Sequence, residues 1–270
     1  MLFFSGKLRF FLKNYIFALE FANSIFKMLD KTLGIVLGTV PYNDNTQFVH
    51  IYTERFGKVT YKTSTPKAHS KKAQQRKLAF QPMTLLELNV QYSDSKELQQ
   101  IQDAEIVLSP LSYASNDPIK FSQCLYIAEL LDKSIREIEC NQMLWDYLYH
   151  SVEIFSITDV DTSNFHLLFT AKLWIPLGFG IDESIYKPGM LFDLNEGKFT
   201  SEKIEHAYYL NSISAEYLYK LLQSDFTNIS ELSLNSKERN IMLDILITYH
   251  KLHIPEIGTL NSTDILKDMF

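Results

Sequence analysis

The chain has 270 residues, room for one large domain or two ordinary ones. Apolar residues make up 46%, with 19 Phe and 15 Tyr, while Gly (9) and Pro (8) are scarce, which argues against disorder and against a loop-rich all-β fold. The formal net charge is −6, and Cys124 and Cys140 alone are too few for a disulfide framework or a four-thiolate zinc site, so a reducing cytoplasm is the simpler setting.

Residues 1–27, "MLFFSGKLRFFLKNYIFALEFANSIFK", are apolar and basic. Lys13 and Asn14 interrupt the apolar core that a signal peptide wants, and no run of about 20 apolar residues is available to span a membrane. A helix lying on a membrane surface stays open as a reading. The simpler one takes Met28 as the natural start and residues 1–27 as an extension.

Strand grammar follows. "TLGIVLGTV" is a short apolar run, closed by the turn residues "PYNDN". In "TQFVHIYTE", Phe48, His50 and Tyr52 fall on one face and Val49 and Ile51 on the other. "RFGKVTYKTS" turns at Gly57 and alternates again, with Val59, Tyr61 and Thr63 opposite Lys58, Thr60 and Lys62. "TLLELNVQY" groups Leu86, Leu88, Val90 and Tyr92, and "ELQQIQDAEIVL" supplies a last strand. Five short strands and one long basic connector fit a small closed barrel, of which the OB-fold is the commonest kind.

That connector is dense in charge. Residues 58–77, "KVTYKTSTPKAHSKKAQQRK", hold Lys58, Lys62, Lys67, Lys71, Lys72, Arg76 and Lys77 and no carboxylate. A charge run is ordinarily a solvated loop. This one begins on the polar face of a strand and continues through a mobile connector, as a phosphate-binding surface would. Tyr52, Tyr61, Phe56 and Tyr42 are candidates for stacking on bases, although Tyr61 shares a face with Val59 and also reads as core.

After Pro118 the period becomes helical. Ile119, Leu125, Ile127, Ala128, Leu131 and Ile135 stripe one helix, and residues 143–155 form another. "NFHLLFTAKLWIPLG" is apolar and stopped by Pro176 and Gly178, and Ser214 and Ser236 are candidate N-caps for two later helices. Residues 178–200 read as an irregular insertion. The expected fold is therefore α+β: a five-stranded OB-fold barrel over 28–110 and an all-helical domain over 111–270. Residues 28–110 carry 10 Lys and Arg against 8 Asp and Glu, whereas 111–270 carry 12 against 23. A basic barrel beside an acidic helical half puts nucleic acid on the first.

Catalytic constellations are thin. His250 and His253 in "YHKLH" have metal-ligand spacing on a helix, but histidines at a helix end before a proline more often act as caps. Asp159 and Asp161 could hold a hard cation, yet lack the EF-hand spacing. The Gly178–Gly180 pair follows a helix, so it is no dinucleotide fingerprint.

In this order and spacing, "MLDKTLGIVLGTVPYNDNTQFVHIYTERFGKVTY", "LAFQPMTLLELNV", "KELQQIQDAE", "YIAELLDKSIRE", "NFHLLF", "LFDLNEGKF", "SKERNIMLDILITYHKLHIPE" and "DILKDMF" resemble the RecO family of bacterial DNA repair proteins, in its Bacteroidetes form. The likeness runs from Met28 to Phe270. It implies a cytoplasmic, non-enzymatic recombination mediator without a cofactor. Its OB-fold would bind single- and double-stranded DNA and anneal complementary strands. It would contact the acidic tail of single-stranded-DNA-binding protein and join RecR in loading the RecA recombinase. Many members hold zinc on four cysteines in the segment that here is "GFGIDESIYKPGMLFDLNEGKF"; this one has none there, so no metal is expected, and Phe179, Ile181, Tyr186, Met190 and Phe192 would hold the segment by packing. An apolar slot around Phe165, Leu168, Phe169 and Trp174, rimmed by Lys172, Lys133 and Arg136, is the candidate receptor for the acidic tail. Two rival readings are a metal-dependent nucleic-acid enzyme using Asp159 and Asp161, and a protein-only scaffold whose basic run docks an acidic partner.

Overall fold

The computed structural model describes residues 29–65, 71–111, 117–136, 139–157 and 162–270, with the backbone alone for 71–73 and 230. The extension 1–27, Lys67, the side chains of Lys71 and Lys72, and Asp159 with Asp161 lie outside the described residues.

Strands β1 (Asp30–Asn43), β2 (Thr46–Thr53), β3 (Gly57–Ser64), β4 (Leu85–Gln91) and β5 (Leu98–Leu108) close into a barrel of order β1-β2-β3-β5-β4. This is the expected OB-type barrel. Closure depends on the 14-residue β1, which pairs with β4 over Asp30–Ile35 and with β2 over Gly34–Asn43, bulging between Val36 and Gly38 as it changes neighbours. The seam on the far side is short: β3 and β5 run parallel through Thr60↔Leu98 to Lys62↔Gln100.

The alternation seen in the sequence sorts residues as expected inside the barrel. Val36, Val49, Ile51, Val59, Tyr61, Leu86, Leu88 and Val90 form its core. The opposite face of the same strands is not wet, however. Ile35, Leu37, Tyr52 and Leu85, with Met83 just before β4, join the core of the helical half. Strands buried on both faces explain the uninterrupted apolar run in β1. Gly34 is needed there because a Cβ would stand 2.6 Å from Ile51 Cγ2 and 3.0 Å from Leu88 Cδ1.

The basic connector differs from expectation. Residues Lys71–Ala79 form a helix, α1, whose Ala79, with the following Phe80, enters the barrel core. Lys, Ala, Gln, Arg and Leu are all good helix formers, and the apolar anchor at the end supplies the tertiary contact a short helix needs.

The helical half comprises α2 (Pro118–Ser134), α3 (Gln142–Ile157), α4 (Phe165–Leu173), α5 (Ser212–Gln223), α6 (Ser236–His253) and α7 (Ser262–Asp268). The caps fall at Asn211 and Asn235 rather than Ser214 and Ser236. Each Asn side chain accepts the backbone N–H three residues on, and Glu238 returns the bond to Asn235 at 2.9 Å in a capping box. Helix α4 is buried on every side, so its lack of a polar face marks a central helix.

Residues 178–200 are more regular than expected. β6 (Leu191–Asp193) and β7 (Lys198–Thr200) make a hairpin, and β8 (Tyr209–Leu210) pairs with β6 on the other side. Ile181 and Phe192 are buried, with Phe179, Tyr186 and Met190 packed against the same core, and no cysteine contributes. This donor set does not fit a thiolate zinc site. Gly34→Ala should lower the unfolding free energy by about 1–3 kcal/mol through overpacking of the barrel. Thermal or urea unfolding monitored by circular dichroism measures it.

Candidate nucleic-acid interface and the junction behind it

The two outward lysines of β3 have different jobs. Lys58 faces the C-terminal end of α2. Its Nζ lies 2.9 Å from Asp132 Oδ1 and donates to the backbone carbonyls of Asp132 and, at 3.3 Å, Ile135. A cation on the last carbonyls of a helix complements its dipole. His50 Nδ1, on β2, reaches the same carboxylate at 2.9 Å. Burial alone would raise the Asp132 carboxyl, but His50 and Lys58 together hold it below its ordinary value. Next to this cluster, Asn141 N–H donates to the Tyr52 hydroxyl at 3.2 Å. Lys58, expected from its place in the basic run to meet phosphate, therefore has its ammonium engaged as a joint between the two halves.

Lys62 lies two same-face positions further along, exposed, and lines a shallow groove with Thr46, Ser64, Arg76 and Gln100. Arg76 in the last turn of α1 donates to Ser64 Oγ at 2.7 Å, which fixes its guanidinium beside the strand end. Lys77 is exposed next to it. Among the described residues no carboxylate lies within ion-pair distance of Lys62, Arg76 or Lys77. The backbone of Lys71 and Lys72 forms the first turn of the same helix. Lys62 thus shares a groove with Arg76, Arg76 shares another with Lys77, and Lys58 faces the helical half instead.

Neither candidate stacking tyrosine presents a ring. Tyr61 is fully buried inside the barrel, where desolvation pushes its phenol upward. Tyr52 is fully buried on the outer face, against Trp145 at 6.4 Å. Period-2 reasoning cannot tell an outer face that meets solvent from one that meets a second domain. Phe56 lies flat against Tyr92 at 4.0 Å, and Tyr42 is exposed near Phe48.

The slot proposed for an acidic tail is also closed. Phe165, Leu168, Phe169 and Trp174 are all buried core. Lys172 caps α5 through the Leu222 carbonyl. Lys133 pairs with Glu129 at 2.8 Å and donates to the Thr259 carbonyl, while Arg136 stands 3.6 Å from Glu256. These cations serve helix ends and neighbouring carboxylates.

His250 is not a free ligand either. The Trp174 indole N–H donates to its Nδ1 at 3.3 Å, so Nε2 carries the proton toward Ser134 Oγ at 2.9 Å. Burial, helped by His253, pushes this imidazole down to about 4. His253 lies against Phe179 and the Leu194 carbonyl. Among the described residues, no three His, Cys, Asp or Glu side chains stand close enough to share a metal ion.

Missing from the sequence reading is a groove of about 840 Å³ between the barrel and the helices. Its walls include Val40, Arg76 and Lys77 on one side and Phe121, Glu129 and Ile265 on the other. The one available signal was Phe121, a large apolar side chain off the buried stripe of α2.

Two family models match the chain. "Recombination protein O N terminal" covers residues 28–110, and "Recombination protein O C terminal" covers 115–262. The DNA repair protein RecO of Azobacteroides pseudotrichonymphae is 33% identical over 243 residues, 90% of this chain and 100% of that protein. Its counterpart in Bacteroides fragilis is 34% identical over 244 residues, with the same coverage. The Porphyromonas gingivalis protein is 27% identical over 246 residues, again spanning 90% and 100%.

Lys58→Met should cost on the order of 1–3 kcal/mol of stability, because it strips a charged hydrogen-bond partner from Asp132 and the end of α2. The salt dependence of DNA binding should not change. Denaturant unfolding and a salt titration separate the two. Glu129 gives a pH signature. Burial would raise its carboxyl, but bonds from Lys133, Ser262 and the Asn261 amide outweigh that and hold it at about 2, against an ordinary 4.5. A depressed carboxyl stabilises the fold above its unfolded value, and the contribution fades as pH falls from about 4.5 to 2. Glu129→Gln should flatten acid unfolding in that window. It should leave untouched the separate loss that begins near pH 6.5, where the buried, neutral His166 and His250 favour the unfolded chain.

Proposed function

The chain belongs to the RecO family, whose work is DNA repair and recombination, and from that premise we propose that it is a non-enzymatic mediator that binds DNA through the outer face of its barrel. The observation that carries this reading is a chain of cations without acidic partners at ion-pair distance among the described residues: Lys62 and Arg76 line one groove, Arg76 and Lys77 line the next, and the helix bearing Lys71 and Lys72 adjoins. Lys67 belongs to the same footprint on sequence grounds. Phosphate contacts dominate affinity for DNA and carry no sequence information, which suits a protein that must act at any site. Screening two strands on one basic surface lowers their repulsion, so the same face promotes annealing of single strands and also holds duplex.

The acidic helical half is a poor surface for DNA and is the side assigned to proteins: RecR, the acidic tail of single-stranded-DNA-binding protein and, indirectly, RecA. With the α4 slot filled by core, the tail receptor is assigned to the helical half without a residue set.

Changing Lys62, Arg76 and Lys77 together to Ala should flatten the plot of log affinity against log salt by about 2 for single strands, since each phosphate contact contributes roughly 0.7. An unchanged slope removes this face from the site. Strand annealing by the full chain should persist in EDTA and need no nucleotide. Metal-dependent cleavage would instead favour an enzyme, and no DNA binding at low salt would favour a protein-only scaffold.

A further inference from the structure

We infer that the groove between barrel and helices receives an unpaired base of the bound strand, with Phe121 as the ring on which it stacks. The inference rests on the reading of the barrel face as the DNA surface and extends it from phosphates to bases. Arg76 is the link. It lines both the shallow groove beside Lys62 and the large groove that reaches Phe121, so a backbone tracking Lys62, Arg76 and Lys77 is led directly to the second cavity.

The groove has the chemistry for a flat, apolar-faced group tethered to an anion. Phe121 is 42% exposed and Ile265 48%, facing a wall that contains Val40 and Phe80. Half-exposed apolar side chains gathered at a cavity with polar groups around it are the kind of patch that marks a binding groove. The cations stand on the α1 wall. The two carboxylates that also line the groove, Glu129 and Asp132, are each already engaged by cations and hydrogen-bond donors. Glu129 accepts from Lys133, Ser262 and Asn261, and Asp132 from Lys58 and His50. An aromatic side chain of a peptide would fit the same walls, but the continuity through Arg76 with the cationic barrel face favours a nucleic-acid strand. In a duplex every base is paired and stacked inside, so the groove adds affinity for single strands alone. That gives a sequence-independent protein a way to prefer unpaired DNA.

The test is a pair of affinities. Phe121→Ala in the full chain should weaken binding to a single-stranded oligonucleotide about five- to a hundredfold and leave duplex binding within about twofold. The salt slope should stay the same, because the ring neutralises no phosphate. Phe121→Trp should retain single-strand affinity, and a strand carrying 2-aminopurine should lose fluorescence on binding wild type but much less on binding Phe121→Ala. Melting temperatures of the variants serve as the control for folding. Equal loss for single strand and duplex would overturn the inference, as would full retention of single-strand affinity by Phe121→Ala. Retention in Phe121→Ala, with loss in the Lys62/Arg76/Lys77 variant, would sink the base site alone and leave the barrel-face reading standing. No loss in either variant would sink the barrel-face reading as well.

Discussion

The carboxylate of Asp132 joins the two halves of the molecule. It sits at the C-terminal end of α2 and receives Lys58 and His50 from adjacent strands of the barrel. Lys58 also satisfies carbonyls that the helix leaves without intrahelical partners. Two donors on the barrel and three acceptors at the end of α2, the Asp132 carboxylate and the carbonyls of Asp132 and Ile135, tie the halves together at this point. Asp132 also lines the groove that has Arg76 and Phe121 on its walls.

Apolar contacts set the same geometry from a different direction. Ile35 and Leu37 point away from the barrel axis into the helical core, while Val36 between them points inward. One strand thereby belongs to two cores. The polar joint gives orientation, and the buried outer face of β1 supplies the hydrophobic attraction, which has no direction of its own.

Much of the barrel was legible in the sequence because alternation reports which residues share a face. Val59, Tyr61 and Thr63 were separated correctly from Lys58, Thr60 and Lys62. Alternation is silent about what a face meets, and this explains the misplacement of Lys58 and Tyr52: both were read as surface, and both abut the helical half. Helix α1 was hidden for another reason. Its run of Lys and Gln has no apolar stripe, and its anchor, Ala79 with Phe80, lies at its very end. Caps were misplaced by one to three residues because Asn and Ser compete for the same role. The apolar character of α4 was visible, yet excess hydrophobicity on a helix signals a central position as readily as an open slot. Phe121 could be picked out only as a residue off its stripe; the groove it faces is assembled from segments more than a hundred residues apart.

The double burial of β1 also bears on how this molecule can be taken apart. The barrel has its own interior and its own family model, and both invite treating it as a module to be cut out and handled alone. Severed from the helices, it would carry Ile35, Leu37, Tyr52, Met83 and Leu85 as a bare apolar sheet face, the kind of surface on which copies adhere to one another. Gene fusions, truncations and domain exchanges that respect the boundary along the chain would still tear a single hydrophobic body in space. Modularity here is a property of the sequence, and the folded protein does not share it.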